Sequence, residues 1–173
     1  TTAVGPLDRP AAARALALAQ SRDAVVLGPG LGADPAALAF AREVIRECAV
    51  PIVIDADALH AIAGDLGAEF VRRDRPTVLT PHPGEMARLL GSTAAEVQAL
   101  RLESARSVAA STGAVVVLKG QRTLIAGAAG RVAVNPTGNP GMAFVVTGRA
   151  PTSTPRATLS RYTALWTSSA SAV

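Results

Sequence analysis

The sequence predicts an α/β protein whose core is a doubly wound, mostly parallel sheet. Three observations carry that prediction. Short apolar, largely β-branched runs recur at residues 23–28, 50–55, 77–80 and 114–119. Segments with helical spacing and helix-end signals separate them, and strands alternating with helices favour parallel pairing. Each run also stops at a loop rich in glycine, proline or charge, which is the side of such a sheet where ligands collect.

Taken in order, residues 7–20 read as a helix with Asp8 as N-cap and Pro10 near the first turn. Residues 23–28 form a buried strand that ends in glycine, and residues 28–32 a tight loop. Asp34 and Pro35 open a helix to about Cys48, with Leu38, Val44 and Ile45 able to face inward. The strand at 50–55 leads into a short helix over 56–63, closed by Gly64. The strand at 77–80 is followed by a helix that Gly91 stops at Leu90. Thr93 and Glu96 have capping-box spacing and start a longer helix to about Ser111. After the strand at 114–119, residues 120–126 and 131–135 are placed to pair as a hairpin through 127–130.

Beyond Ala143 the composition changes. Residues 144–173 hold eleven Ser or Thr, two prolines and no carboxylate. The domain reading is therefore a core over 1–143 and a poorly ordered tail over 144–173.

A chain of 173 residues, nearly half of them hydrophobic, suffices for one domain with a sizeable core. No apolar run is long enough to span a membrane, and Arg14 breaks the alanine-rich start, which makes a poor signal peptide. Cys48 is the single cysteine, so no internal disulfide forms and a reducing, cytoplasmic setting is expected. The chain begins with Thr1, which suggests a trimmed protein or a piece of a longer one. The net charge of +4 is unevenly spread: residues 1–103 carry 10 basic and 13 acidic groups, residues 104–173 carry 7 basic and none acidic. These basic residues are scattered and not interleaved with aromatics, so no nucleic-acid partner is expected.

Five loops fall on the carboxyl rim: residues 28–32, 55–57, 80–85, 119–123 and 135–143. Glycines in the first let backbone amides approach a ligand, or serve only a tight turn. Asp55 and Asp57 are placed to orient a substrate hydroxyl or a hydrated metal, or Asp57 caps the next helix. His82, between two prolines, suits donation to a carboxamide or phosphate, or is a surface turn residue. Glu85 favours the start of the following helix. Lys119 at a strand end meets phosphate as a point charge, with Gly120 keeping the approach open and Arg122 and Thr123 adding donors. Its bland alternative is a snorkelling lysine. Gly138 and Gly141, with Pro136 and Pro140, make the last loop an anion-friendly turn.

Together these loops resemble a known family. Gly28-Pro29-Gly30-Leu31-Gly32, Ile54-Asp55-Ala56-Asp57-Ala58-Leu59, Thr80-Pro81-His82-Pro83-Gly84-Glu85, Leu118-Lys119-Gly120 and Gly138-Asn139-Pro140-Gly141-Met142-Ala143 occur in its order and spacing. The family is the ADP- or ATP-dependent NAD(P)H-hydrate dehydratase, of the ribokinase-like fold, a three-layer α/β/α architecture. The resemblance covers roughly residues 1–143. It implies a lyase that repairs hydrated NADH or NADPH by phosphorylation and elimination, with ADP or ATP and Mg²⁺. By motif position, Gly30, Gly32 and His82 line the hydrated dinucleotide. Lys119, Gly120, Gln121, Arg122 and Thr123 hold the adenine nucleotide. No metal-ligating side chain is assigned. A homo-oligomer and an NAD(P)HX epimerase, fused or separate, are the partners compatible with it.

One departure stands out. In the family a glycine-rich stretch ending in Gly-Thr-Gly-Asp follows the methionine-alanine pair, and its aspartate is the catalytic base. Here Phe144 and Val145 follow, and Glu103 is the last carboxylate side chain of the chain. No catalytic residue is therefore assigned, the fold is expected to be incomplete at both ends, and impaired activity is expected. A change of reading frame near the Ala143 codon would produce such a departure, and the gene's nucleotide sequence tests it. Another ribokinase-like small-molecule kinase, such as a hydroxyethylthiazole kinase relative, and a non-catalytic nucleotide-binding module are the alternatives.

Overall fold

The structure, a computed structural model, describes residue 7, residues 9–64, residue 66 and residues 73–136. The elements in chain order are α1 (Arg9–Ala19), β1 (Val25–Leu27), α2 (Pro35–Glu47), β2 (Ile52–Ile54), α3 (Asp57–Ala61), β3 (Thr77–Leu79), α4 (Pro83–Leu90), α5 (Ala94–Ala99), α6 (Arg101–Thr112), β4 (Val115–Leu118), β5 (Leu124–Ala126) and β6 (Val132–Val134). The expected cap at Asp8, the motif ending in Met142-Ala143 and the tail over 144–173 lie outside the described residues.

Among the described residues six strands form one sheet in the order β1-β2-β3-β4-β5-β6. The first four run parallel, and β5 and β6 complete the antiparallel hairpin that the sequence predicts. Register follows the alternation of side chains. Leu27, Ile54, Leu79 and Val116 lie side by side across the sheet and all are buried. Each such side chain contributes about 1.5–3 kcal/mol by leaving water. Their neighbours Val26, Val53, Val78 and Val115 form the matching row on the opposite face, where Val115 is 40% exposed.

Parallel strands in consecutive order require crossovers of one hand, which set their helices on one face. The buried residues agree: Phe40, Val44 and Ile45 of α2, Met86 and Leu89 of α4 and Val108 of α6 join the buried strand residues in one apolar cluster. Leu38 packs against its edge.

Local chemistry fixes the helix ends. The Asp34 carboxylate accepts from the amides of Ala36 and Ala37 at 3.0 and 3.1 Å, with Pro35 in the first turn. Gly91 closes α4 in the left-handed conformation. Thr93 and Glu96 make the expected capping box.

The long helix expected over 93–111 is divided at Leu100, which leaves the helical region with φ −122° and ψ 45°. The two pieces serve different neighbours: α5 packs on α4, and α6 on β4 and β5. A straight helix cannot follow both directions. Among the described residues, no helix is long and apolar enough to cross a membrane.

Candidate functional site

The carboxyl ends of β1, β2, β3 and β4 bring four of the five loops to one rim. The fifth is described only at Asn135 and Pro136, where the Asn135 amide donates to the Thr123 carbonyl at 2.9 Å.

Backbone contacts bind the loops to one another. Asp55 N–H donates to the Leu27 carbonyl and Lys119 N–H to the Pro81 carbonyl, at 3.0 and 2.8 Å. Gly28 lies so close to the second loop that a Cβ would stand 1.8 Å from the Asp55 carbonyl oxygen. Its φ of +128° is also one that side chains resist. The glycine therefore serves close packing between loops as well as the turn.

Four side chains predicted from three separate motifs meet at the centre. The Lys119 ammonium donates to Asp55 Oδ1 at 2.7 Å and stands 3.6 Å from Glu85 Oε2. That same Glu85 oxygen accepts from the His82 amide at 2.7 Å. His82 Nδ1 accepts from the amides of Gly84 and Glu85, at 3.0 and 3.3 Å, so the pair forms a capping box at the start of α4. Nδ1 as acceptor places the proton of a neutral ring on Nε2. That atom lies 3.5 Å from Glu85 Oε1 on a side chain that is 53% exposed. His82 is thus both helix cap and exposed rim donor.

Burial raises the affinity of Asp55 for its proton. Hydrogen bonds from Lys119 and Thr80, the charge of Lys119 and the Ala56 amide outweigh it and hold the carboxyl below its ordinary range. Asp55 is ionised at neutral pH, and it neutralises the lysine whose predicted partner is phosphate.

Asp57 departs from the capping reading. The N-cap of α3 is Ala56, at φ +48° and without a side-chain cap bond. The Asp57 carboxylate instead crosses to the first loop and accepts from Gly32 N–H at 2.9 Å. The helix begins one residue too early for Asp57 to cap it, and the glycine amide offers a free donor. Asp57→Ala is expected to speed amide exchange at Gly32 about tenfold and to cost about 1 kcal/mol of stability. Hydrogen exchange at that amide measures it, and an unchanged rate would dismiss the clasp.

Gly30 and Gly32 adopt φ of +74° and +84° in an exposed turn. Residues 119–123 join β4 to β5. Gly120 has φ +139°, Arg122 has φ +55°, and the Thr123 hydroxyl donates to the Gly120 carbonyl at 3.0 Å. Gln121 and Arg122 are exposed. Among the described residues, no group of three or more His, Cys, Asp or Glu is gathered as a metal site would need.

Sequence reading did not foresee the Lys119–Asp55 pair or the part played by Arg101. The guanidinium of Arg101 donates to the carbonyls of Leu118 and Lys119, at 3.2 and 3.5 Å. Nothing in the local pattern of α6 singles that arginine out.

Comparison with known proteins follows the same residues. The profile of the NAD(P)H-hydrate dehydratase family matches residues 2–148. The bifunctional NAD(P)H-hydrate repair enzyme of Moorella thermoacetica is 49% identical over 148 residues, covering 85% of this chain and 28% of that protein. The ADP/ATP-dependent NAD(P)H-hydrate dehydratase of Bacillus subtilis, co-crystallised with ATP/Mg²⁺, superposes with a TM-score of 0.59 at 35% identity, covering 72% of this chain and 44% of that one. A ribokinase-like superfamily protein of Enterococcus faecalis gives 0.60 at 29% identity, covering 76% and 45%. The chain thus spans less than half the length of each of these proteins, and its fold is ribokinase-like.

Proposed function

Because the chain belongs to the NAD(P)H-hydrate dehydratase family, we propose that its rim serves the repair of hydrated NADH and NADPH with ADP or ATP. The hydrated cofactor carries an added hydroxyl on its nicotinamide ring. Hydroxide leaves poorly and phosphate well. A phosphoryl group passed from the nucleotide to that hydroxyl oxygen can depart as phosphate, while a ring proton is lost and the double bond returns. The protein's share is positioning and charge stabilisation.

In this reading Gly30, Gly32 and His82 face the dinucleotide, with His82 Nε2 as donor. Lys119, Gly120, Gln121, Arg122 and Thr123 face the phosphates and sugar of the adenine nucleotide. The observation that carries the proposal is the meeting of Lys119, Asp55, Glu85 and His82 at one rim. A lysine at a strand end, a side-chain-free Gly120 and an exposed Arg122 form a donor set that suits an anion. Mg²⁺ would arrive on the nucleotide's phosphates, with Asp55 and Glu85 as the neighbouring carboxylates, and would neutralise charge on the phosphoryl group. A cytoplasmic setting, self-association and an NAD(P)HX epimerase as fused or separate partner belong to the same proposal.

Within these 173 residues no carboxylate follows Glu103, and Phe144 and Val145 stand directly after the methionine-alanine pair, where the family's glycine-rich stretch toward its base begins. These 173 residues are expected to bind adenine nucleotide without appreciable turnover. Two measurements decide this: ATP binding by calorimetry, and recovery of the reduced cofactor's absorbance from NADHX supplied with ADP or ATP. Robust turnover would refute the impairment, and absence of nucleotide binding would refute the assignment of the rim.

A further inference from the structure

We propose that Arg101 is a positioning residue for nucleotide binding, holding the turn at 119–123 in its phosphate-accepting form from outside the rim. This rests on the reading of that turn as the nucleotide loop.

The peptide between Lys119 and Gly120 is gripped from two sides. Before it, the Lys119 amide donates to the Pro81 carbonyl at 2.8 Å. Behind it, Arg101 Nη1 donates to the Lys119 carbonyl at 3.5 Å and Nη2 to the Leu118 carbonyl at 3.2 Å. In a trans peptide the N–H points away from the preceding C=O. With the Lys119 carbonyl turned toward α6, the Gly120 N–H is therefore directed away from that helix, and the orientation of one bond sets that of the other.

The absence of a side chain at residue 120 is what admits the guanidinium. A Cβ there would lie 2.9 Å from Arg101 Nη1, 3.3 Å from Nη2 and 3.4 Å from Cζ. A Cβ at residue 120 would push the guanidinium from this place, and the φ of +139° favours glycine there on its own account. The guanidinium is itself held by Gln98 Oε1 at 3.0 Å, and it is the first residue of α6 because the helix divides at Leu100. That division brings the fork to two consecutive carbonyls, a task that suits a planar two-armed cation and not an ammonium. Burial lowers the pKa of Arg101, yet guanidinium keeps its charge at any working pH, so it also places a fixed positive charge behind the loop.

The experiment compares the parent chain with Arg101→Ala and Arg101→Lys, measuring calorimetric affinity for ATP, affinity for NADPH and melting temperature. Loss of the fork is expected to weaken ATP binding about tenfold in Arg101→Ala and about threefold in Arg101→Lys, with NADPH affinity unchanged. Unchanged ATP affinity in both variants would overturn the inference. So would an equal loss of ATP and NADPH, which marks a merely structural role. If Arg101→Ala fails to fold, the same comparison is made with Arg101→Lys. A parent chain that binds no ATP would overturn the nucleotide-loop reading itself, and this inference with it, and that result is visible before any variant is made.

Discussion

Gly28→Ala is expected to destabilise the fold by about 3 kcal/mol or more, lowering the melting temperature by about 10 °C. The added methyl would sit 1.8 Å from the Asp55 carbonyl oxygen and 2.9 Å from both the Ala58 nitrogen and its Cβ. Most of these obstacles are backbone, so no rotamer change relieves them. Relief requires the first and second rim loops to part, which stretches the 3.0 Å bond from the Asp55 amide to the Leu27 carbonyl. The φ of +128° adds strain that any side chain would feel. Thermal unfolding followed by circular dichroism measures the effect, and a melting temperature within about 2 °C of the parent would show that the close approach is absent.

Lys119→Met is expected to weaken adenine-nucleotide binding about a hundredfold and, separately, to cost about 2 kcal/mol of stability at neutral pH. Methionine keeps most of the volume and removes the charge. Asp55 and Glu85 are then left facing each other without their shared cation, and the Glu85 side chain is only 9% exposed. The pH dependence carries a recognisable sign. In the parent, Asp55 is held below its unfolded value of 3.8. Its contribution is present above that value and is lost as pH falls through the lower folded one.

In the variant the lysine's hydrogen bond and charge disappear while burial remains, and burial raises the carboxyl. Its penalty then grows as pH rises. The stability gap between parent and variant should therefore be narrowest in acid and widest near neutrality. Urea unfolding across that range tests it, and a gap independent of pH would remove Lys119 from the carboxylate pair.

Where information was local, the sequence was a good guide. The β-branched run at Val115, Val116 and Val117 became a strand, and Asp34 capped the helix it precedes. Likewise the pair Thr93 and Glu96 closed its box. Each depends on residues within one turn or one strand.

The errors and gaps arose where a distant partner decided the outcome. Asp57 has the composition of a cap, yet Gly32, 25 residues away, claims its carboxylate. Lys119 reads as a free cation until the fold sets Asp55, 64 residues earlier, beside it. The division at Leu100 follows from what α5 and α6 pack against, and no glycine or proline announces it. His82 lay between: its spacing to Glu85 is that of a capping box, but only the fold adds Lys119 to the carboxylate's far side.

The strand order, β1 through β6 without rearrangement, bears on how such a chain is assembled. Among the described residues, no strand is inserted between two that are neighbours in sequence. Every pairing closes a stretch no longer than a single crossover, and such closures cost less entropy than joining distant ends. Among the described strands the sheet can therefore grow by small additions, with Lys119 reaching Asp55 only once the fourth strand has docked.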